Sequence, residues 1–204
     1  MNRDSARRLV SAYFESPGVK LLTRLGLSPN AITALGFVIA VLGAYLIAIG
    51  QLLGGGIVFL LSGLLDLLDG AVARSTGKAS AFGAVFDSIA DRFSEAAVFL
   101  GILIFYLDSD AIWEPVLVFL ALFTSLMVSY VRARAEGLDV ECTVGVLQRP
   151  ERVAILGIGL VVGHWWLTGT AVAIGLIALL ALATTAQRVF HVRRELANRD
   201  GQAP

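Results

Sequence analysis

Histidine and cysteine are almost missing from this chain of 204 residues, which holds two histidines and one cysteine, Cys142. A single thiol excludes an intrachain disulfide. With no Cys or His neighbour at ligand spacing, Cys142 reads as structural rather than as a redox or metal group. Charge is also scarce: Asp, Glu, Lys and Arg make up 16% of the residues, and 16 basic side chains balance 16 acidic ones. That balance by itself says nothing about nucleic acid, and no nucleic-acid partner is expected. There is no internal repeat and no low-complexity segment. The first 27 residues are mixed and amphipathic rather than a short apolar core before a cleavage site, so insertion is expected to rely on the helices themselves.

Apolar residues fill the space. They make up 57% of the chain, and the mean hydropathy of +0.79 is more than a soluble domain of this length can hide. The expected fold class is an all-α integral membrane protein with six transmembrane helices, at about 31–50, 56–73, 84–107, 112–131, 152–166 and 168–190. Ser28 and Pro29 read as N-cap and first residue of the first span, Gly54 to Gly56 as the break between the first two, and Pro150 as the opening of the fifth.

Lysine and arginine are distributed with one bias. They cluster before the first span (Arg3, Arg7, Arg8, Lys20, Arg24), between the second and third (Arg74, Lys78), between the fourth and fifth (Arg132, Arg134, Arg149, Arg152) and around the end of the sixth (Arg188, Arg193, Arg194, Arg199). The connections around Gln51, Asp108 to Glu114 and Gly163 to Gly169 hold none. The positive-inside rule therefore puts both termini in the cytosol, and Trp113, Trp165 and Trp166 fall at the opposite interface, where aromatic belts form. Residues 1–27 carry apolar faces with basic residues beside them (Leu9, Val10, Tyr13, Phe14; Val19, Leu21, Leu22, Leu25) and read as an amphipathic juxtamembrane segment, either an anchor or a lid. Residues 28–192 form the six-helix domain and 193–204 a polar tail.

Four aspartates interrupt this pattern. Asp66, Asp69, Asp87 and Asp91 lie within apolar runs, where each unpaired carboxylate costs roughly 2.5–3.5 kcal/mol. Only Arg74, Lys78 and Arg92 are near in sequence, so bound cations are the simplest compensation. The i, i+3 and i, i+4 spacings put each pair on one helix face, and the short turn from Ser75 to Phe82 is expected to make the two helices antiparallel neighbours, with the carboxylates at one cytosolic level. Hard oxygen ligands without His or thiolate suit Mg²⁺ or Mn²⁺. Two such ions can bridge a diphosphate and offset its charge. Gly70 and Gly83 either admit a nucleotide or merely pack helices, and Arg74 is free to meet a phosphate or Asp69.

Asp66 to Asp91 spells D-x-x-D-G-x-x-A-R, eight residues, then G-x-x-x-D-x-x-x-D, with Asp66, Asp69, Gly70, Ala73, Arg74, Gly83, Asp87 and Asp91 at the fixed positions. This resembles the signature of the CDP-alcohol phosphotransferases. The resemblance implies Asp66, Asp69 and Asp87 as metal ligands, Asp91 as ligand and general base, and Gly70, Ala73, Arg74 and Gly83, with Asp69, around the CDP group. It implies a CDP-linked lipid donor such as CDP-diacylglycerol, a homodimer, and a prokaryotic plasma membrane with the site facing the cytosol. Pro29, Asn30 and Thr33 also resemble a P-N-x-x-T found near the cytidine in this family, although the same residues serve as a helix cap.

Acceptor choice falls to the cytosolic arginines. Guanidinium groups bind phosphate bidentately, so an acceptor that already carries phosphate is favoured, while positive-inside topology accounts for many of the same charges. The run S-Y-V-R-A-R-A-E-G from Ser129 to Gly137, followed by R-P-E-R at Arg149 to Arg152, is similar to phosphatidylinositol phosphate synthases. That likeness implies inositol 1-phosphate as acceptor, with Arg132, Pro150, Arg152 and Arg188 lining its pocket. Glycerol 3-phosphate, the acceptor of phosphatidylglycerophosphate synthase, is the alternative. A cation or proton transporter also puts carboxylates in a membrane, but transport calls for polar residues across the whole bilayer, and the outer halves of these spans hold almost nothing ionisable.

Overall fold

A computed structural model describes residues 16–109 and 111–201 of the protein. Seven α-helices and no strand occur among them: α1 (Ser16–Arg24), α2 (Pro29–Ala48), α3 (Leu52–Ser75), α4 (Ala81–Leu107), α5 (Glu114–Glu136), α6 (Arg149–Gly163) and α7 (Thr168–Asp200). The expected apolar face of Leu9, Val10, Tyr13 and Phe14 lies outside the described residues. From α1, Leu22 packs with Ile32, Leu68 and Val72, tying this short helix to α2 and α3.

Helix starts follow local chemistry. Ser28 caps α2, its hydroxyl accepting the Ala31 N–H at 3.2 Å, with Pro29 in the first turn. Ser80 caps α4 by accepting the Gly83 N–H at 3.0 Å. At α6 the side chains of Gln148 and Glu151 cap each other's backbone, and Pro150 occupies the first turn.

The long helices close a ring in the order α2, α3, α6, α7, α5, α4 and back to α2. Contrary to expectation, α3 and α4 do not pack as neighbours. Both lean on α2 rather than on one another, and the acidic side chains between them explain why: carboxylates cannot be pressed into an apolar seam without partners. The main core runs through the ring from Ile47 and Phe59 to Phe99, Ile102, Leu160, Ile174 and Ile177.

Gly54 to Gly56 do not break the chain; they lie inside α3, and the turn falls one step earlier, at Gly50, whose φ is +84°. A Cβ on Gly55 would stand 2.9 Å from the Gly43 carbonyl oxygen of α2, so this glycine serves close helix approach instead. α7 runs to Asp200, so the polar segment from Arg193 continues a helix rather than forming a separate tail. Its apolar side, Val192 and Leu196, packs on Val140 and Cys142, and Arg199 donates to the carbonyl oxygens of Leu138 (3.0 Å) and Asp139. Cys142 is fully buried there, and burial pushes its thiol up, as expected of a structural cysteine.

Four helices, α2, α3, α5 and α7, are long and apolar enough to cross a membrane. Of the other two, α4 carries Asp87, Asp91, Arg92 and Glu95 in its first half, and α6 has only 15 residues. The protein is an integral membrane protein by this composition.

Gly101 on α4 makes the tightest crossing of α2: a Cβ there would lie 2.3 Å from the Ala44 carbonyl oxygen, whereas one on Gly175 of α7 would meet nothing within 4 Å. Gly101→Ala is expected to destabilise by about 1–3 kcal/mol through overpacking, and Gly175→Ala to stabilise by up to about 1 kcal/mol through helix propensity. Thermal unfolding in detergent reads both, and equal melting temperatures would refute the assigned helix approach.

Candidate active site

The site opens where α3 ends and α4 begins. Asp66 and Asp69 lie one turn apart on α3, and Asp87 faces them from the second turn of α4. One carboxylate oxygen from each of the three lies within 4.8 Å of the others. Asp69 is buried, and the Thr33 hydroxyl of α2 donates to its Oδ2 at 2.5 Å. Asp87 Oδ1 is sealed from solvent and has no hydrogen-bond donor among the described residues, a costly condition for a carboxylate oxygen. Oxygens bound about 2.0–2.6 Å from one hard cation lie roughly 3–5 Å apart, so the triad and its orphaned oxygen fit a divalent metal.

Asp91 joins differently. Arg149, the first residue of α6, reaches between the helices, donating from Nη1 to Asp66 Oδ2 and placing Nη2 2.8 Å from Asp91 Oδ1. Compensation for the carboxylates therefore comes partly from a helix distant in sequence. None of the sequence neighbours Arg74, Lys78 and Arg92 forms an ion pair among the described residues, and Arg92 instead donates to the Ser88 carbonyl oxygen.

Two cavities meet at Asp87. The smaller, about 210 Å³, is bounded by Pro29, Asn30 and Thr33 of α2, by Asp69, Gly70, Ala73 and Arg74 of α3, and by Gly83. All the residues expected around a CDP group are thus brought to one cleft, with Lys78 added at its rim. Its glycines keep it open: a Cβ on Gly83 would stand 3.0 Å from Ser80 Oγ and 3.2 Å from Asn30 Oδ1.

The larger cavity, about 620 Å³, is bounded by Asp87 and Asp91 on one side and by Arg132, Arg149, Pro150, Arg152 and Arg188 on the other. Every residue expected at an acceptor phosphate lines it, although the arginines are held in different ways. Arg132 is half-exposed, with Nε 2.8 Å from Glu136 Oε1. Arg152 is buried against Glu95, with Nε and Nη2 donating to the two carboxylate oxygens at 2.7 and 2.9 Å. Arg188 is buried and donates to the carbonyl oxygens of Val144 (2.9 Å) and Val128 (2.6 Å). Arg134 does not line the cavity.

Sequence reasoning missed Glu95 and, although it counted Arg149 among the cytosolic arginines, missed its pairing with Asp66 and Asp91. Glu95 continues the row of Asp87 and Asp91 at the same four-residue interval, a signal present in the sequence but beyond the end of the motif. Arg149 stood among several basic residues near a helix start, with nothing local to single it out.

An apolar helical ring holding carboxylates fit for a hard cation, beside a cavity rich in guanidinium groups, defines a membrane protein that handles phosphate-bearing substrates. Residues 26–191 match the family model described as CDP-alcohol phosphatidyltransferase. Archaetidylinositol phosphate synthase of Methanothermobacter thermautotrophicus is 38% identical over 176 residues, covering 85% of this chain and 87% of that protein. Phosphatidylinositol phosphate synthase of Mycolicibacterium smegmatis is 38% identical over 188 residues, covering 87% and 82%. The crystal structure of Mycobacterium tuberculosis phosphatidylinositol phosphate synthase with CDP-DAG bound superimposes with a TM-score of 0.79 at 35% identity, covering 87% of this chain and 92% of that one. A second structure of that enzyme, in complex with manganese and citrate, also gives 0.79. The chain belongs to the CDP-alcohol phosphatidyltransferase family and is a transferase; the transporter alternative falls away.

Thr33 orients the Asp69 carboxylate, the place an outer partner would take if Asp69 held a metal. Thr33→Val is expected to weaken Mn²⁺ binding by about tenfold or more, measured by titrating the free-ion EPR signal. Unchanged affinity would remove Asp69 from the metal set.

Proposed function

We propose that the enzyme transfers the lipid phosphate group of a CDP-linked lipid, such as CDP-diacylglycerol, to inositol 1-phosphate, giving phosphatidylinositol phosphate and CMP. The observation that carries this reading is the shared cavity: Arg132, Arg152 and Arg188 face the same space as Asp87 and Asp91, so a phosphate anchored by the arginines leaves its alcohol end near the carboxylates. Names of the relatives point the same way, since archaetidylinositol and phosphatidylinositol phosphate synthases differ in lipid and share the inositol phosphate.

In this reading Asp66, Asp69, Asp87 and Asp91 hold Mg²⁺ or Mn²⁺, in two sites. When bound, the ions supply charge neutralisation for the diphosphate. Pro29, Thr33, Gly70, Ala73, Arg74 and Gly83 receive the CDP group in the smaller cleft. Arg132, Arg152 and Arg188, with Pro150, hold the acceptor's phosphate in the larger one. Asp91 takes the proton of the acceptor hydroxyl, whose oxygen attacks the lipid-side phosphorus while the bond to CMP breaks. An apolar groove between α3 and α6, about 210 Å³ and bounded by Leu60, Gly63, Leu64 and Val153, ends at Asp66 and Arg149; it suits the lipid end of the donor.

The same proposal includes topology. All six long helices span the bilayer as one catalytic unit from 28 to 192, residues 1–27 lie along the cytosolic surface, both termini and the site face the cytosol of a prokaryotic cell, and the enzyme works as a homodimer. The arginine distribution supports this orientation: the basic connections all lie at the end of the ring that carries the site. Depth follows, because a lipid-linked diphosphate lies at the headgroup level and the acceptor arrives from water.

Membranes supplied with CDP-diacylglycerol and Mg²⁺ are expected to release CMP on addition of inositol 1-phosphate, and to lose this activity with chelator. Release with glycerol 3-phosphate alone would replace the proposed acceptor. Asp91→Asn is expected to lower kcat by at least about 100-fold, the scale of a lost general base, with unfolding temperature unchanged; retained turnover would remove Asp91 from that role.

A further inference from the structure

Glu95 is a buried carboxylate of α4 that neither the motif nor the proposed reaction uses. It lies one turn beyond Asp91, is 4% exposed, and gives both oxygens to Arg152, which is 2% exposed. The pairing is a fork: Nε meets one oxygen at 2.7 Å and Nη2 the other at 2.9 Å. One guanidinium nitrogen is left. Arg152 Nη1 makes no hydrogen bond with any described residue, yet it is not among the sealed and unpartnered polar atoms, which are Asp87 Oδ1, Tyr106 Oη, Ser125 Oγ and Arg149 Nε. It therefore keeps accessible surface, and the cavity that Arg152 lines is the 620 Å³ space shared with Arg132 and Arg188.

An arginine stem is flexible, and a free guanidinium samples many orientations. Here the edge formed by Nε and Nη2 is occupied and the plane is fixed, so the Nη1 N–H pair points one way. We propose that Glu95 is a positioning residue, clamping one edge of Arg152 so that Nη1 is aimed at the phosphate of the acceptor. Stability alone gives little reason for such a pair, because buried ion pairs are commonly replaced by apolar residues without loss. Its place at a cavity wall gives one. Asp87 and Asp91 line the same cavity, and an Arg152 without its own carboxylate would be drawn to them, taking a partner from the acidic cluster and withdrawing the donor from the incoming phosphate.

This inference rests on the acceptor reading above, and the test separates the two. Glu95→Gln keeps the volume and one oxygen but turns an N–H group toward the guanidinium. Its KM for inositol 1-phosphate is expected to rise about tenfold, the scale of one hydrogen bond to a charged group, while kcat and the KM for CDP-diacylglycerol stay within about twofold. In an Arg152→Ala background the same substitution is expected to add nothing, since Glu95 then has no guanidinium to aim. Unchanged acceptor KM, a parallel rise in both KM values, or an additive effect in the double variant would each overturn the assignment. Should Glu95→Gln fail to fold, Glu95→Asp keeps the charge, draws the fork back by one methylene, and is read by the same split. If wild type releases CMP only with glycerol 3-phosphate, the inositol reading fails and the Glu95 comparison is made on that acceptor. If neither phosphorylated alcohol drives release, both fail.

Discussion

Ionised side chains inside an apolar helix ring must be partnered, and the architecture of this protein follows from how that demand is met. Five carboxylates, Asp66, Asp69, Asp87, Asp91 and Glu95, lie along two helices that lean on α2 rather than on each other. Arg149 bridges Asp66 and Asp91, and Arg152 takes Glu95. Among the described residues Asp69 and Asp87 have no guanidinium partner: one accepts from Thr33, and the other retains a sealed oxygen with no donor. Both belong to the triad, with Asp66, whose oxygens approach each other within 4.8 Å, so three carboxylates there share one guanidinium. A low dielectric strengthens both the attraction for a cation and the cost of leaving the oxygens bare.

The ring of helices turns this electrostatic demand into a divided site. Because α3 and α4 both rest on α2 and not on each other, space remains on either side of Asp87. On the α2 side the walls are small and the cleft narrow. On the far side α5, α6 and α7 contribute arginines from three separate helices to a cavity about three times larger. One carboxylate thus borders both spaces, the arrangement that a group transfer between two bound substrates requires. Close approach at Gly55 and Gly101 holds α3 and α4 against α2 and so sets the separation of the acidic rows.

Much of the helical order was legible in advance. The six long helices fall close to where apolar runs and boundary residues put them, since Ser28 caps and Pro29 and Pro150 open their own first turns. Glycine was the weak signal. A triplet at Gly54 to Gly56 has the composition of a break, yet neighbouring backbones in the ring need Gly55 and Gly56 bare, and tertiary contact overrode propensity. The end of α7 was underestimated for a related reason: a polar, charged stretch reads as a tail until Val192, Leu196 and Arg199 find the loop from Leu138 to Val144.

What the sequence determined by itself is the hard-oxygen chemistry of the acidic cluster and the family, because the signature from Asp66 to Asp91 is a matter of residue type and spacing along helices, and both are local. What only the tertiary structure decided is which charges meet. Arg149 and Asp66 are 83 residues apart, and Arg152 and Glu95 57 apart; helical periodicity places each on a face of its own helix but does not say which faces confront one another. The physical reason is range: a cap or a motif is closed within a few residues, whereas an ion pair between helices exists only after the ring has packed.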